Sequence, residues 1–339
     1  MKKYVTIKDI AKALGYSTST VSRALTGSYE VSEKTKEIVK HKAEEMNYHP
    51  NVIARNLSSR RSGVVGVIVP EFETGFFPRV ILGIQDELSK AGYRILITQS
   101  GESAVKEKEN LDLLLENMVE GVIASVTKEG GNEEAFMKAI HSGIPVVFFN
   151  RVYNLPRASK VVVDDRSLAY DSVIHLLESG YKRICHLAGP SNMQVARHRI
   201  EGYEDALKKC GGDQVSLIID VDGISVSNGY AAMLRILDGE DPLPDAIFCF
   251  NDNIAVGALK AIKERGWRIP EDIAVVGFSE TEISTIVEPH LTTTVQPRYQ
   301  MGVEAAKIML EQIVTKGKSL PSNLVLKAKL NIRESSKRK

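Results

Sequence analysis

The chain opens with three stretches in which apolar residues recur every three or four positions, a spacing that predicts helices. In "VTIKDIAKALG", Ile7, Ile10, Ala11 and Leu14 form one apolar face. Thr6 is placed to cap this helix, Asp9 completes a capping box, Val5 can staple to Ile10, and Gly15 ends it where φ is positive. In "YSTSTVSRAL", Ser17 caps a second helix whose Val21, Ala24 and Leu25 face inward. A third follows in "VSEKTKEIVKHKAEEMNYHPN": Ser32 caps it, Ile38, Val39 and Met46 face the first two helices, and Asn47 and Pro50 end it. A three-helix unit this small is only marginally stable alone.

After Gly63 the pattern changes to short apolar runs: "VVGVIVP", "YRILIT", "GVIASV", "PVVFF", "KVVVD", "RICHLA", "VSLIID", "DAIFCF", "IAVVGF" and "LTTTV". Amphipathic stretches such as "FFPRVILGIQDELSKAG" separate most of them. Alternating strands and helices predict parallel sheets covered on both faces, an α/β body. "GYRILIT" and "GYKRICHLAG" open similar series about 90 residues apart, which suggests two lobes of related build.

Between the two patterns lies "ARNLSSRRSG", basic and polar apart from Leu57. Asn51 can cap roughly two turns of helix here, well short of the ~12–15 residues an isolated helix needs in water. A partner must therefore order it. From the residues alone, a linker with one stray leucine competes with a segment that wedges Leu57 into a duplex.

Charge sharpens the division. The net charge of +1 conceals a head, residues 1–62, with 12 Lys/Arg against 6 Asp/Glu, and a remainder with 32 against 37. A basic head on a mildly acidic body suggests that the head meets a polyanion. No apolar run is long enough to cross a membrane and "MKKYVTIKDIAKALG" lacks a signal-peptide core, so a cytoplasmic chain is expected. Cys185, Cys210 and Cys249 lack metal spacing and read as buried thiols, and no metal or cofactor is expected.

Ala11, Gly15 and Val21 have the spacing of a helix-turn-helix, with a small residue at the crossing and an aliphatic locking the second helix. Thr18, Ser19, Thr20, Ser22 and Arg23 then point outward. Hydroxyls and an arginine suit a helix that reads the major groove, although a capped, solvated polar face has the same composition.

"TIKDIAKALGYSTSTVSRALTG", "VSEKTKEIVKHKAEEMNYHPN", "ARNLSSRRSGVVGVIVP", "GIPVVFFNR", "FCFNDNIAVGALKAIKERGWRIPEDIAVVGF" and "PHLTTTVQP" resemble the LacI/GalR family of bacterial transcriptional regulators over nearly the whole chain. The resemblance implies a helix-turn-helix domain at 1–50, a hinge helix and linker at 51–63, and a two-lobed body at 64–339, built like a periplasmic sugar-binding protein. The first lobe would hold about 64–163 and 289–321 and the second about 164–288 and 322–339, with crossovers near Asp164, Glu288 and Pro321. DNA would be met by Thr6, Ser17, Thr18, Ser19, Thr20, Ser22 and Arg23, and by Asn51, Ala54, Arg55, Leu57, Arg60 and Arg61. In the family two hinge helices pair over the operator and a leucine from each enters the minor groove; Leu57 matches it. The implied function is a homodimeric repressor on palindromic operator DNA, switched by a sugar-like effector between the lobes.

Ligands in such folds bind at strand C-terminal ends. The effector candidates there are Phe76, Phe77, Asn150, Arg151, Arg199, Ile224, Asn251, Asp252, Ser279, Glu280 and Gln296. For each, a helix cap or a buried structural pair is the competing role. Two positions depart from the family: Ser279, with Glu280 after it, stands where most members carry a ligand-binding aspartate, and Ile224 where some carry an aromatic platform. With Arg151 and Arg199 present, these departures point to an acidic effector, a sugar acid or sugar phosphate. A sugar-binding protein without DNA function lacks support from the basic head. An enzyme lacks any G-x-G-x-x-G, P-loop, G-x-S-x-G or H-E-x-x-H motif.

Overall fold

The computed structural model describes residues 5–48, 62–209 and 216–338. They fall into two units, Met1–Ser62 and Gly63–Lys339. The hinge candidates Asn51, Ala54, Arg55, Leu57, Arg60 and Arg61 lie outside the described residues, as do Pro50 and Cys210.

The head holds α1 (Ile7–Leu14), α2 (Thr18–Leu25) and α3 (Glu33–Glu45). Asp9 takes hydrogen bonds from Thr6 N at 2.9 Å and Thr6 Oγ1 at 2.7 Å. Gly15 leaves α1 at φ 68°, where a side chain would be strained. Ser17 Oγ accepts from Thr20 N at 3.0 Å, and Ser32 Oγ from Thr35 N at 3.3 Å. The core is Ile10, Ala11, Val21, Ala24, Val31, Val39 and Ala43. Ile38, expected inside, is 39% exposed. Val39, Ala43 and Met46 follow one helical stripe, and Ile38 lies a full residue step of rotation away from it.

The body contains two six-stranded sheets. The first, in spatial order, is β11 (Asn323–Leu326), β5 (Ser159–Val163), β4 (Val146–Phe149), β3 (Val122–Ala124), β1 (Val64–Val69) and β2 (Arg94–Gln99). The second is β12 (Lys329–Asn331), β10 (Thr292–Val295), β9 (Ala274–Phe278), β8 (Ala246–Cys249), β6 (Ile184–Ala188) and β7 (Leu217–Asp220). Among the described residues only β12 runs antiparallel to its neighbour. Burial on both faces explains why the central strands read as unbroken apolar runs. Helices α4 (Phe76–Lys90), α5 (Ala104–Glu116), α6 (Glu133–His141) and α12 (Arg298–Val314) pack on the first sheet. Helices α7 (Asp165–Glu178), α8 (Gln194–Lys209), α9 (Val226–Leu237), α10 (Asp252–Glu264) and α11 (Ile283–Ile286) belong to the second lobe.

The chain crosses between sheets at Asp164, around Gln296 and around Lys327. The last two correct the expected positions at Glu288 and Pro321. β10 pairs with β9, Thr293 opposite Gly277, and so stays in the second lobe. β11 and β12 escaped sequence reading because "NLVL" and "KLN" are short, half-exposed edge strands with no long apolar run.

Candidate functional site

The strand order sets the C-terminal ends of both sheets facing one crevice, which holds about 480 Å³ of atom-free space, part of it open to solvent. From the first lobe come Glu71 and Thr74 after β1, Phe76 and Phe77 at the start of α4, and Asn150 and Arg151 after β4. From the second come Val195 and Arg199 on α8, Ile224 after β7, Phe250 to Asn253 after β8, and Ser279 and Thr281 after β9. Gln296 sits at a crossing between the lobes. Of the eleven candidates, Glu280 is the one that does not line the crevice. The backbone turns through φ 111° at Ser279 and 44° at Glu280, and the Glu280 carboxylate instead pairs with Arg333 and accepts from Asn331 Nδ2 at 3.1 Å.

Arg199 is 3% exposed and stacks its guanidinium 3.7 Å from the Phe278 ring centroid and 4.6 Å from that of Phe250. Its Nε and Nη2 donate to Asp165 Oδ1 at 2.9 and 2.7 Å, and Nη1 donates to the Phe250 carbonyl. That occupies three of its five N–H donors and leaves one on each terminal nitrogen. Burial pushes the Asp165 carboxyl up, and the Arg199 charge opposes that shift. Arg151 Nη1 donates to both Glu102 oxygens, at 2.8 and 3.0 Å. Both arginines therefore arrive with a carboxylate of their own, and the charge argument for an acidic effector loses its basis.

Asn251 and Asp252 are occupied structurally. The Asn251 side chain caps α10 by accepting from Ile254 N at 2.8 Å and donates to the Ile224 carbonyl at 3.0 Å. Asp252, fully buried, accepts from Thr281 N at 2.6 Å, Thr281 Oγ1 at 3.1 Å and Thr293 Oγ1 at 2.6 Å. Burial raises its pKa and these bonds counter the rise. Phe76 and Phe77, in edge-on contact at 5.2 Å, are largely core, with Phe77 against Phe149. Gln296 is different: it is 4% exposed, and among the described residues neither its Nε2 nor its Oε1 has a partner.

Sequence reading missed Glu71, Thr74, Val195, Phe250, Asn253 and Thr281 in the lining, and Asp165 behind Arg199. Phe250 was findable, since it directly precedes Asn251 at a strand end. Asp165 was not, because its partner lies 34 residues away.

On the head, Ser17 Oγ lies 2.7 Å from Ser19 Oγ and 2.8 Å from Thr20 Oγ1, so these hydroxyls form one capping cluster. Thr6, Thr18 and Arg23 are exposed, and Ser22 is half-buried. Among the described residues no group of three or more His, Cys, Asp or Glu could hold a metal ion. No helix of the described residues is long and apolar enough to cross a membrane.

A capped helix-turn-helix head followed by a two-lobed α/β body with a crevice that both lobes line defines an effector-responsive DNA-binding protein as the class. Residues 6–51 match the bacterial regulatory proteins of the lacI family, and residues 62–334 the periplasmic binding proteins and sugar binding domain of the LacI family. The chain is 34% identical over 311 residues to the HTH-type transcriptional repressor CytR of Escherichia coli strain K12, covering 91% of this chain and 89% of the relative. It is 32% identical over 341 residues to the repressor PurR of Haemophilus influenzae strain PittEE, covering 98% of each. The Lac repressor dimer bound to operator and the anti-inducer ONPF superposes with a TM-score of 0.87 at 26% identity, covering 98% of this chain and 99% of that one. The regulator CelR in complex with cellobiose gives 0.74 at 29% identity, with 98% and 99% covered. The chain belongs to the LacI family and is a DNA-binding transcriptional regulator.

Proposed function

We propose that the interlobe crevice binds a neutral, hydroxyl-bearing effector of the sugar class, and that its occupancy sets the affinity of a homodimer for palindromic operator DNA in the cytoplasm. Gln296 carries this reading. A buried amide with both ends unpartnered is costly unless something else supplies its bonds, and it sits where both lobes line one cavity. A hydroxyl both donates and accepts, so it satisfies Gln296 and can also accept from the two remaining Arg199 N–H groups. Phe76, Ile224 and Phe250 offer apolar surface to a ring. Acidic ligands would meet Glu71 and Asp252 in the lining, and the two lining arginines, Arg151 and Arg199, already carry the carboxylates of Glu102 and Asp165. The protein acts by binding and performs no turnover. Operator contact is assigned to the outward residues of α2 and to the hinge candidates, Leu57 as the wedge.

A thermal-shift panel of neutral mono- and disaccharides, nucleosides, uronates and sugar phosphates tests this. A ligand at 100 times its Kd adds about 2.7 kcal/mol to the folded state. The expected result is a shift from a neutral compound that is lost in Gln296→Leu, while the variant without ligand melts no lower than the parent. A shift from uronates or phosphates alone, or one that Gln296→Leu leaves intact, overturns the reading.

A further inference from the structure

Arg23 is the only Lys or Arg on α2, so it is the only side chain of that helix with a charged, forked set of donors. A carboxylate stands beside that fork. Arg23 Nη1 lies 2.9 Å from Glu30 Oε2, with the two side chains 57% and 44% exposed. Glu30 sits on a turn tied to Arg23 itself: Ser28 N donates to the Arg23 carbonyl at 2.9 Å, and Glu30 N donates to Ser28 Oγ at 3.3 Å. The next residue, Val31, is buried in the core of the head. The backbone that carries Glu30 is thus fixed on both sides, and the carboxylate reaches Arg23 from a turn of set position.

An ion pair this exposed adds little to stability, and a carboxylate on the face that approaches phosphates opposes binding. A head selected for affinity alone would be better without it. A carboxylate does, however, fix which way a guanidinium points. With Nη1 beside Glu30, a swing of Arg23 to the nearest phosphate gives up the ion pair, and the Nε–Nη2 edge keeps the planar pair that matches the two acceptors of a guanine edge.

We propose that Glu30 is a positioning residue for DNA reading, which aims Arg23 at a base and withholds it from the backbone, so that non-specific affinity is lowered and discrimination raised. The proposal rests on the reading that α2 enters the major groove.

The test uses the full-length protein and an operator selected by the wild type from random duplexes, titrated beside a scrambled duplex over a range of salt. Glu30→Gln should bind the scrambled duplex several-fold tighter, with its log K against log salt slope steeper by about 0.9 per head. The ratio of operator to scrambled affinity should fall by about tenfold, the scale of one good base contact. In an Arg23→Gln background the same substitution should leave the ratio unchanged, since the effect runs through Arg23. Equal tightening on both duplexes, no change on either, or a ratio that falls as far without Arg23 would each overturn the proposal. If Arg23→Gln itself leaves discrimination intact, the failure lies in the reading of α2 and takes the proposal with it. Melting curves of each variant separate these results from unfolding.

Discussion

At the scale of single residues, buried charge and its partners decide what the body can bind. Arg199 reads in sequence as a clamp open to an effector, but in the fold Asp165 and the Phe250 carbonyl hold three of its donors. Removing Asp165 would leave the Arg199 charge buried without its counter-charge, which costs far more than the pair contributes. His186 is a second buried case. Its Nδ1 lies 2.9 Å from the Phe248 carbonyl, which can only accept, so Nδ1 carries the proton; Nε2 has no partner. Its ring stacks on Phe248 at 4.6 Å. Burial pushes its pKa down from 6.5 to about 4, against that hydrogen bond, with Arg199 lowering it further. The unfolded chain therefore binds the proton first as pH falls. Stability contributed by the neutral ring is fully present above about pH 6.5 and drains away down to about pH 4. Urea unfolding of wild type and His186→Phe over this window should show wild type losing roughly 3 kcal/mol more than the variant. Parallel pH profiles would mean that His186 is not held neutral by the fold.

At the scale of elements, close helix contact places the crevice walls. A Cβ on Gly302 of α12 would sit 2.0 Å from the Val80 carbonyl of α4, and one on Gly83 of α4 would sit 2.2 Å from the Tyr299 carbonyl of α12. The two helices touch backbone to backbone, and α4 carries Phe76 and Phe77 at its first turn. Gly302→Ala must push the helices apart, an overpacking change of about 1–3 kcal/mol. The expected outcome is a lower melting temperature together with weaker effector binding, because the aromatic wall moves with α4. An unchanged melting temperature would show that the helices separate without cost. The head elements were more legible. Thr6, Ser17 and Ser32 cap their helices at the positions that sequence alone suggested, since capping is settled within four residues. Ile38 departs from the expected inner face because a single-residue rotation on α3 is easily lost among charged neighbours.

At the scale of the whole molecule, the family assignment joins a DNA-reading head to a crevice that both lobes line. Coupling between two such sites is reciprocal: if effector changes operator affinity by some factor, operator changes effector affinity by the same factor. Titrating the effector in the absence and presence of saturating operator duplex should show the factor found when the roles are exchanged, about five- to 150-fold for a coupling of 1–3 kcal/mol. Equal effector affinities in both states would leave two independent binding sites and no switch.

What depends on near neighbours was legible from the chain alone. Apolar runs located β1 to β10, and the helix period with its caps located the three head helices. The spacing of Ala11, Gly15 and Val21 marked the helix-turn-helix, and the positions after strands together with the family resemblance marked ten of the residues around the crevice. The folded arrangement was needed to show which sheet β10 and β11 join, that Glu280 turns to Arg333, and that Arg151 and Arg199 come already paired with Glu102 and Asp165. The reason is physical. Hydrophobic period and capping are satisfied within a turn or two of chain, whereas strand pairing and charge compensation link residues tens of positions apart, where the pattern carries no record of the partner.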